Sequence, residues 1–187
     1  MKNEHSISLS YTLTKDEYLD HLLYTASKTP SVIKKRRNNR LILPVLYLSI
    51  AIFGFFIENF ALFSSLLLLA ILWYLLFPKW ENKLYVKQYS KYLDKQLQDN
   101  KGELIELKFN RDYISKKRNG QSFTIPYGQI RGWYETSRAV YIGLLDNYTI
   151  IIPKKSTYQL KEIERIVTSN NENLPIHVVK DLDWKWE

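Results

Sequence analysis

Cysteine is absent from the chain, which excludes disulfides, thiolate nucleophiles and cysteine-bound metals. Histidine is nearly as scarce. His5, His21 and His177 stand far apart, so a zinc site would need carboxylates gathered by the fold. With only six glycines there is no glycine-rich phosphate loop, and neither a G-x-S-x-G nor an H-E-x-x-H run occurs. No catalytic residue, cofactor or metal ligand is therefore expected, and the chain reads as something other than an enzyme. The first 40 residues hold no apolar stretch of signal-peptide type, so no cleavable signal peptide is expected.

What the chain has in abundance is concentrated in one place. Between residues 41 and 77 a single charge, Glu58, interrupts an otherwise apolar run, and it lies beside Asn59. As one helix this run would be roughly 55 Å long at about 1.5 Å per residue, whereas the hydrocarbon core of a bilayer is only about 30 Å thick. Two spans are therefore expected, 41–57 and 60–77, turning at Glu58 and Asn59. A carboxylate at the end of a span suits an outer turn, whereas a functional intramembrane carboxylate lies within one. Small residues Ala51, Gly54, Ala61, Ser64 and Ser65 would let the two helices approach closely.

Charge gives this hairpin a direction. The 27 basic and 19 acidic residues leave a net +8: +4 in residues 1–40, −1 at Glu58, +3 in 78–102 and only +2 in 103–187. Lys34, Lys35, Arg36, Arg37 and Arg40 precede the first span, Lys79 and Lys83 follow the second, and the turn has neither Lys nor Arg. The positive-inside rule then places both termini in the cytoplasm, in a two-pass protein of the cell (inner) membrane. Trp73, Tyr74 and Trp80 mark the headgroup level. A nucleic-acid partner is not expected, because the basic excess is not on the folded module.

The rest reads as a small α+β protein. Residues 5–13 alternate as a half-buried strand, and Thr14 with Glu17 forms a capping box at a helix start. Thr29-Pro30-Ser31 breaks that helix before the basic stretch. Residues 78–102 are expected to form a separate juxtamembrane helix, kinked off at Pro78, with lysines at 79, 83, 87, 91 and 95 and a stop at Asn100-Lys101-Gly102. Six short strands follow, over 105–109, 113–117, 122–127, 130–135, 139–145 and 148–152, with an Asn119-Gly120 hairpin turn. Their tight turns predict an antiparallel meander. A second capping box at Ser156 and Gln159 is expected to open a helix to about Thr168, burying Leu160, Ile163, Ile166 and Val167. In the tail, 171–187, Trp184 and Trp186 are expected to cover the edge of the sheet. The N-terminal strand is expected to join the C-terminal sheet, since one strand alone cannot bury its apolar face.

This order of pieces resembles the YcxB-like family of bacterial membrane proteins. The resemblance rests on the strand and helix start at Thr14–Leu19, the approach through Thr29-Pro30-Ser31 and Lys34–Arg37, the hairpin, and a C-terminal part from Leu104. Within that part the matching segments are Tyr113-Ile114-Ser115, Ile125-Pro126-Tyr127 with Ile130, Val140-Tyr141-Ile142 and Ile150–Lys154. It implies a cytoplasmic C-terminal domain, 103–170, of pleckstrin-homology-like type: a bent antiparallel sheet capped by a helix. It brings no catalytic residues.

Together these features suggest a membrane-anchored interaction or regulatory module whose protein partner and oligomeric state the sequence leaves open. Immunity to a membrane-acting bacteriocin or toxin is the alternative. Residues placed to contact anionic headgroups are Lys34, Lys35, Arg36, Arg37, Arg40, Lys79 and Lys83, together with Lys116, Lys117 and Arg118 at the hairpin tip. A role in keeping the hairpin turn soluble is the plainer reading of the last three.

Overall fold

A computed structural model describes residues 6–97, 102–170 and 176–186. The chain divides into two compact units. One takes in residues up to His21 together with Leu93–Lys185; the other comprises Leu22–Tyr92 with Trp186.

In the first unit, strand β1 (Ile7–Thr12) buries Ile7, Leu9 and Tyr11 and exposes the residues between them. The capping box then starts α1 (Lys15–Lys28) as its sequence requires. The Thr14 N–H donates to Glu17 Oε2 at 2.7 Å, and the Glu17 N–H donates back to Thr14 Oγ1 at 3.3 Å. After the helical hairpin the chain returns with β2 (Leu104–Phe109), β3 (Tyr113–Arg118) and β4 (Gln121–Pro126). A turn at Tyr127–Gln129 leads to β5 (Ile130–Thr136), β6 (Ala139–Leu144) and β7 (Thr149–Pro153). Helix α4 (Leu160–Ser169) and strand β8 (His177–Asp181) complete the unit.

The six expected strands are present, but they do not form one meander. The turn after β4 separates two four-stranded sheets, ordered β1-β2-β3-β4 and β7-β6-β5-β8. The first is antiparallel throughout, and β1 pairs with β2 from Ile7 opposite Phe109 to Thr12 opposite Leu104. The expected joining of the first strand to the C-terminal sheet is thus observed. In the second sheet β8 runs parallel to β5, which the apolar run at Ile176–Val179 did not announce. One core draws on both sheets, and Ile163 and Val167 of α4 close it. The Tyr11 hydroxyl reaches across to the Ile151 carbonyl at 2.6 Å.

Three local expectations need correction. Ser156 does not cap α4: the helix begins later, at Leu160, with Gln159 at the cap position and no side-chain cap bond. Ser156 instead ends a short turn at Lys154–Ser156, and Thr157 Oγ1 accepts from the Gln159 N–H at 3.0 Å. The break after α1 is confined to Thr29, because Pro30 suits the first turn of a new helix. Residues 78–102 are not a separate helix, since Pro78 lies inside a continuous one.

The second unit is a helical hairpin. Helix α2 (Pro30–Phe56) and helix α3 (Phe60–Gln96) are each long and apolar enough to cross a membrane, and only 17% and 11% of their apolar windows are buried. Core helices of a water-soluble domain would be mostly buried. The turn falls where expected. Glu58 takes a left-handed conformation (φ 57°), and the N–H groups of Glu58 and Asn59 return to the carbonyls of Phe55 and Gly54. This is the helix-ending double bond normally associated with glycine. Asn59 Oδ1 then accepts from the Leu62 N–H at 3.1 Å and caps α3.

Ala51 and Gly54 are buried between the helices, where a Cβ on Gly54 would lie 3.1 Å from Leu62. Ala61, Ser64 and Ser65 are exposed, contrary to expectation, and the two serine hydroxyls donate within their own helix. Proline at 78 leaves the Tyr74 carbonyl without its helical donor. The Arg40 guanidinium supplies one, with Nε at 3.2 Å, while stacking 3.9 Å from the Tyr74 ring. The helix therefore continues through Pro78.

Candidate functional site

The strand pattern of β3 and β4 contains a local contradiction. Asn119 and Gly120, at φ 51° and 73°, make a two-residue turn with both central residues left-handed, which fixes Arg118 opposite Gln121. Ile114 then faces Ile125 and Lys116 faces Phe123. Alternate residues share a face, so Ile114, Lys116 and Arg118 all lie on the side that Ile114 buries in the core. Two of these three inward positions are cations. Lys116 is only 7% exposed.

The cations line an open pocket of about 540 Å³ instead of entering the apolar core. Its far wall is the turn between β6 and β7. There Asn147 is left-handed (φ 63°), and the Tyr148 N–H donates to Asp146 Oδ1 at 2.9 Å, which closes the turn. Ile125, Leu144 and Phe123 supply apolar surface.

Polar contacts tie the floor together. Lys116 Nζ donates to the Tyr148 hydroxyl at 2.5 Å. Arg118 pairs with Glu103, and the Asn119 amide donates to the same carboxylate. Loss of hydration raises the Glu103 pKa, but the bonds from Asn119 and Arg118 outweigh it and hold the carboxyl below its ordinary value. Lys117 lies on the opposite face, 3.9 Å from Glu106. Arg118 is raised, chiefly because the bond from Glu103 overcomes the cost of its partial burial. At neutral pH both members of that pair are charged.

The structure thus separates the ten basic residues singled out from the sequence. Lys116 and Arg118 come together in the pocket, and Lys117 points away. Arg36 is committed within the helical unit: it pairs with Glu81 at 3.2 Å, donates to Asn82 and lies 4.6 Å from the Trp186 ring. Arg40 is held by Tyr74. Lys34, Lys35, Arg37, Lys79 and Lys83 are exposed. Trp186 does not cover a sheet edge; its ring packs on Tyr85 and its indole N–H donates to the Asn82 carbonyl at 3.4 Å. Of the three histidines, His5 lies outside the described residues. His21 packs at 5.1 Å from the Tyr141 ring and burial lowers its pKa to about 4, while His177 sits on β8. Among the described residues no group of three or more His, Asp or Glu is placed to hold a metal ion.

Glu103, Phe123 and Tyr148 are the pocket residues that sequence reasoning passed over. The alternation Ile114, Lys116, Arg118 was the available signal, because it places charge on a core face. The approach of Tyr148 depends on the meeting of two sheets and leaves no trace in local sequence.

Residues 109–170 match the family model described as YcxB-like protein. The match runs from the last residue of β2 past the end of α4, includes Lys116, Arg118, Phe123 and Tyr148, and excludes Glu103 and the helical hairpin. No curated protein and no solved structure matches the chain.

Proposed function

We propose that this chain is a membrane-held interaction module, in which α2 and α3 anchor a β-domain that receives a partner in the pocket between the β3–β4 hairpin and the β6–β7 turn. The carrying observation is the pair of inward cations, Lys116 and Arg118, on a face whose next residue is core. A sheet that needed only stability would have kept that face apolar. The module acts by binding and not by catalysis. Its β-domain, of pleckstrin-homology-like type in this reading, lies in the cytoplasm with both termini. The basic flanks of the hairpin and the absence of Lys and Arg at its Glu58 turn support that orientation. Exposed Lys34, Lys35, Arg37, Lys79 and Lys83 contribute attraction to anionic headgroups of about 1 kcal/mol each when near the surface.

Site-specific photocrosslinking in native membranes tests the reading. A benzophenone side chain at Phe123, half exposed at the pocket, is expected to give a discrete adduct. The same group at Glu162, on the exposed face of α4, is expected to give none. Equal labelling from both positions, or none from Phe123, contradicts a partner in the pocket.

A further inference from the structure

Strand β4 is the outer strand of its sheet, and its residues Gln121–Pro126 include no charged side chain. Bare, uncharged edges template pairing with another chain, and proteins ordinarily blunt them with Lys, bulges or cover. The other sheet's edge strand β8 carries Lys180 and Asp181. The edge strands β1 and β7 are joined by the bond from Tyr11 to Ile151. Strand β4 has four of its first five residues exposed, with Phe123 at 50%.

The hairpin geometry tells which backbone groups are free. The two-residue turn makes Arg118 and Gln121 a hydrogen-bonded pair, and alternation makes Lys116–Phe123 and Ile114–Ile125 the next ones. The N–H and C=O groups of Ser122 and Thr124 therefore point outward, and among the described residues nothing meets them. Pro126 lacks a donor and ends the free edge. A strand added here places alternate side chains at the mouth of the pocket, which Thr124 and Phe123 border. Inside, Lys116 is nine-tenths buried and donates to the Tyr148 hydroxyl; Glu103 feels its charge, but among the described residues no carboxylate lies within ion-pair distance of it. Arg118, in contrast, has Glu103.

We infer that β4 receives an extended acidic peptide segment of a partner protein, whose backbone pairs with Ser122 and Thr124 and whose Asp or Glu side chain enters the pocket to meet Lys116. The backbone bonds hold the segment irrespective of sequence, and the buried ammonium selects the acidic side chain. The inference rests on the reading of the chain as a binding module and names the class of its partner.

The test uses the full chain in phosphatidylcholine nanodiscs and phage-displayed random decapeptides. Enriched peptides are expected to carry Asp or Glu within an alternating, β-branched stretch. Affinity of the best peptide, measured by fluorescence anisotropy, is expected to fall at least tenfold in Lys116→Met. It should fall as much in Thr124→Pro, which removes an outward N–H that makes no bond within the sheet and is tolerated on an edge strand, an intact fold being checked by thermal melting. Thr124→Val should bind normally. Enrichment without acidic residues, or affinity that survives both variants, overturns the proposal. So does a chain that dimerises and becomes monomeric in Thr124→Pro, because a second copy would then occupy the edge. A specific adduct from Phe123 with no acidic peptide selected would discard the peptide class and leave the binding module standing. Loss of both would discard the module as well.

Discussion

Truncating Leu9 tests whether a strand that precedes the helical hairpin belongs to the domain that follows it. Leu9 is 6% exposed and sits in register with Leu107, itself 1% exposed. Removing a buried leucine side chain costs about 2–5 kcal/mol, the upper part applying where neighbours cannot collapse into the space. Leu9 packs in a core supplied by two sheets, so Leu9→Ala should cost about 3 kcal/mol. With a urea dependence of about 2 kcal/mol per M, the unfolding midpoint falls by roughly 1.5 M. Leu107→Ala should cost at least as much. Because the two side chains share one space, the double variant should lose less than the sum of the singles, by about 0.5–3 kcal/mol. Pulse proteolysis of the full chain in micelles, across a urea series, reads all four proteins. A shift below about 0.3 M for Leu9→Ala, or strict additivity, would refute the pairing of β1 with β2.

Protonation of His21 should weaken the β-domain. Burial lowers its pKa from 6.5 to about 4, so the neutral form's contribution is complete above pH 6.5 and is lost as pH falls toward 4. The loss between pH 6.5 and 5 should be about 2 kcal/mol in urea titrations and should vanish in His21→Phe. Glu17 is also lowered, because its bonds from Lys155 and Thr14 outweigh burial, but its contribution disappears only below the ordinary carboxylate range. Gly132→Ala should destabilise by about 1–3 kcal/mol in the same assay, since the added Cβ would lie 2.7 Å from the Tyr134 hydroxyl and displace a ring that also covers Gly143. Asn59→Ala should cost the helical hairpin about 1 kcal/mol by removing the cap on Leu62, and Asn59→Ser should restore it in thermal melts followed by circular dichroism.

Much of this fold was legible because its signals are local. Alternation in Ile7–Tyr11, the reciprocal box of Thr14 and Glu17 and the Asn119-Gly120 turn each specify their own element without help from distant residues. The hairpin turn was legible for the same reason, since Glu58 and Asn59 interrupt an unbroken apolar run. What stayed hidden depends on tertiary partners. Pro78 read as a kink between a span and a juxtamembrane helix, but Arg40 replaces the bond that proline removes and one helix continues through it. Ser156 and Gln159 have the spacing of a cap, yet Ser156 ends a short turn and the helix starts only after Gln159. Strand β8 is made a strand by β5, and four residues of Ile176–Val179 cannot announce that. The pocket was half visible: Lys116 and Arg118 were singled out for their charge, but their inward face follows only once Ile114 is known to be core.

In the proposed topology the β-domain and the strand that completes it lie on one side of the membrane, with the Glu58 turn on the other. The absence of native cysteine makes single-cysteine labelling unambiguous. Ser10→Cys, Glu58→Cys and Asp112→Cys all replace exposed residues. In intact spheroplasts a membrane-impermeant maleimide is expected to label Glu58→Cys alone, and after lysis all three. Labelling of Ser10→Cys or Asp112→Cys before lysis, or protection of Glu58→Cys, would contradict the account.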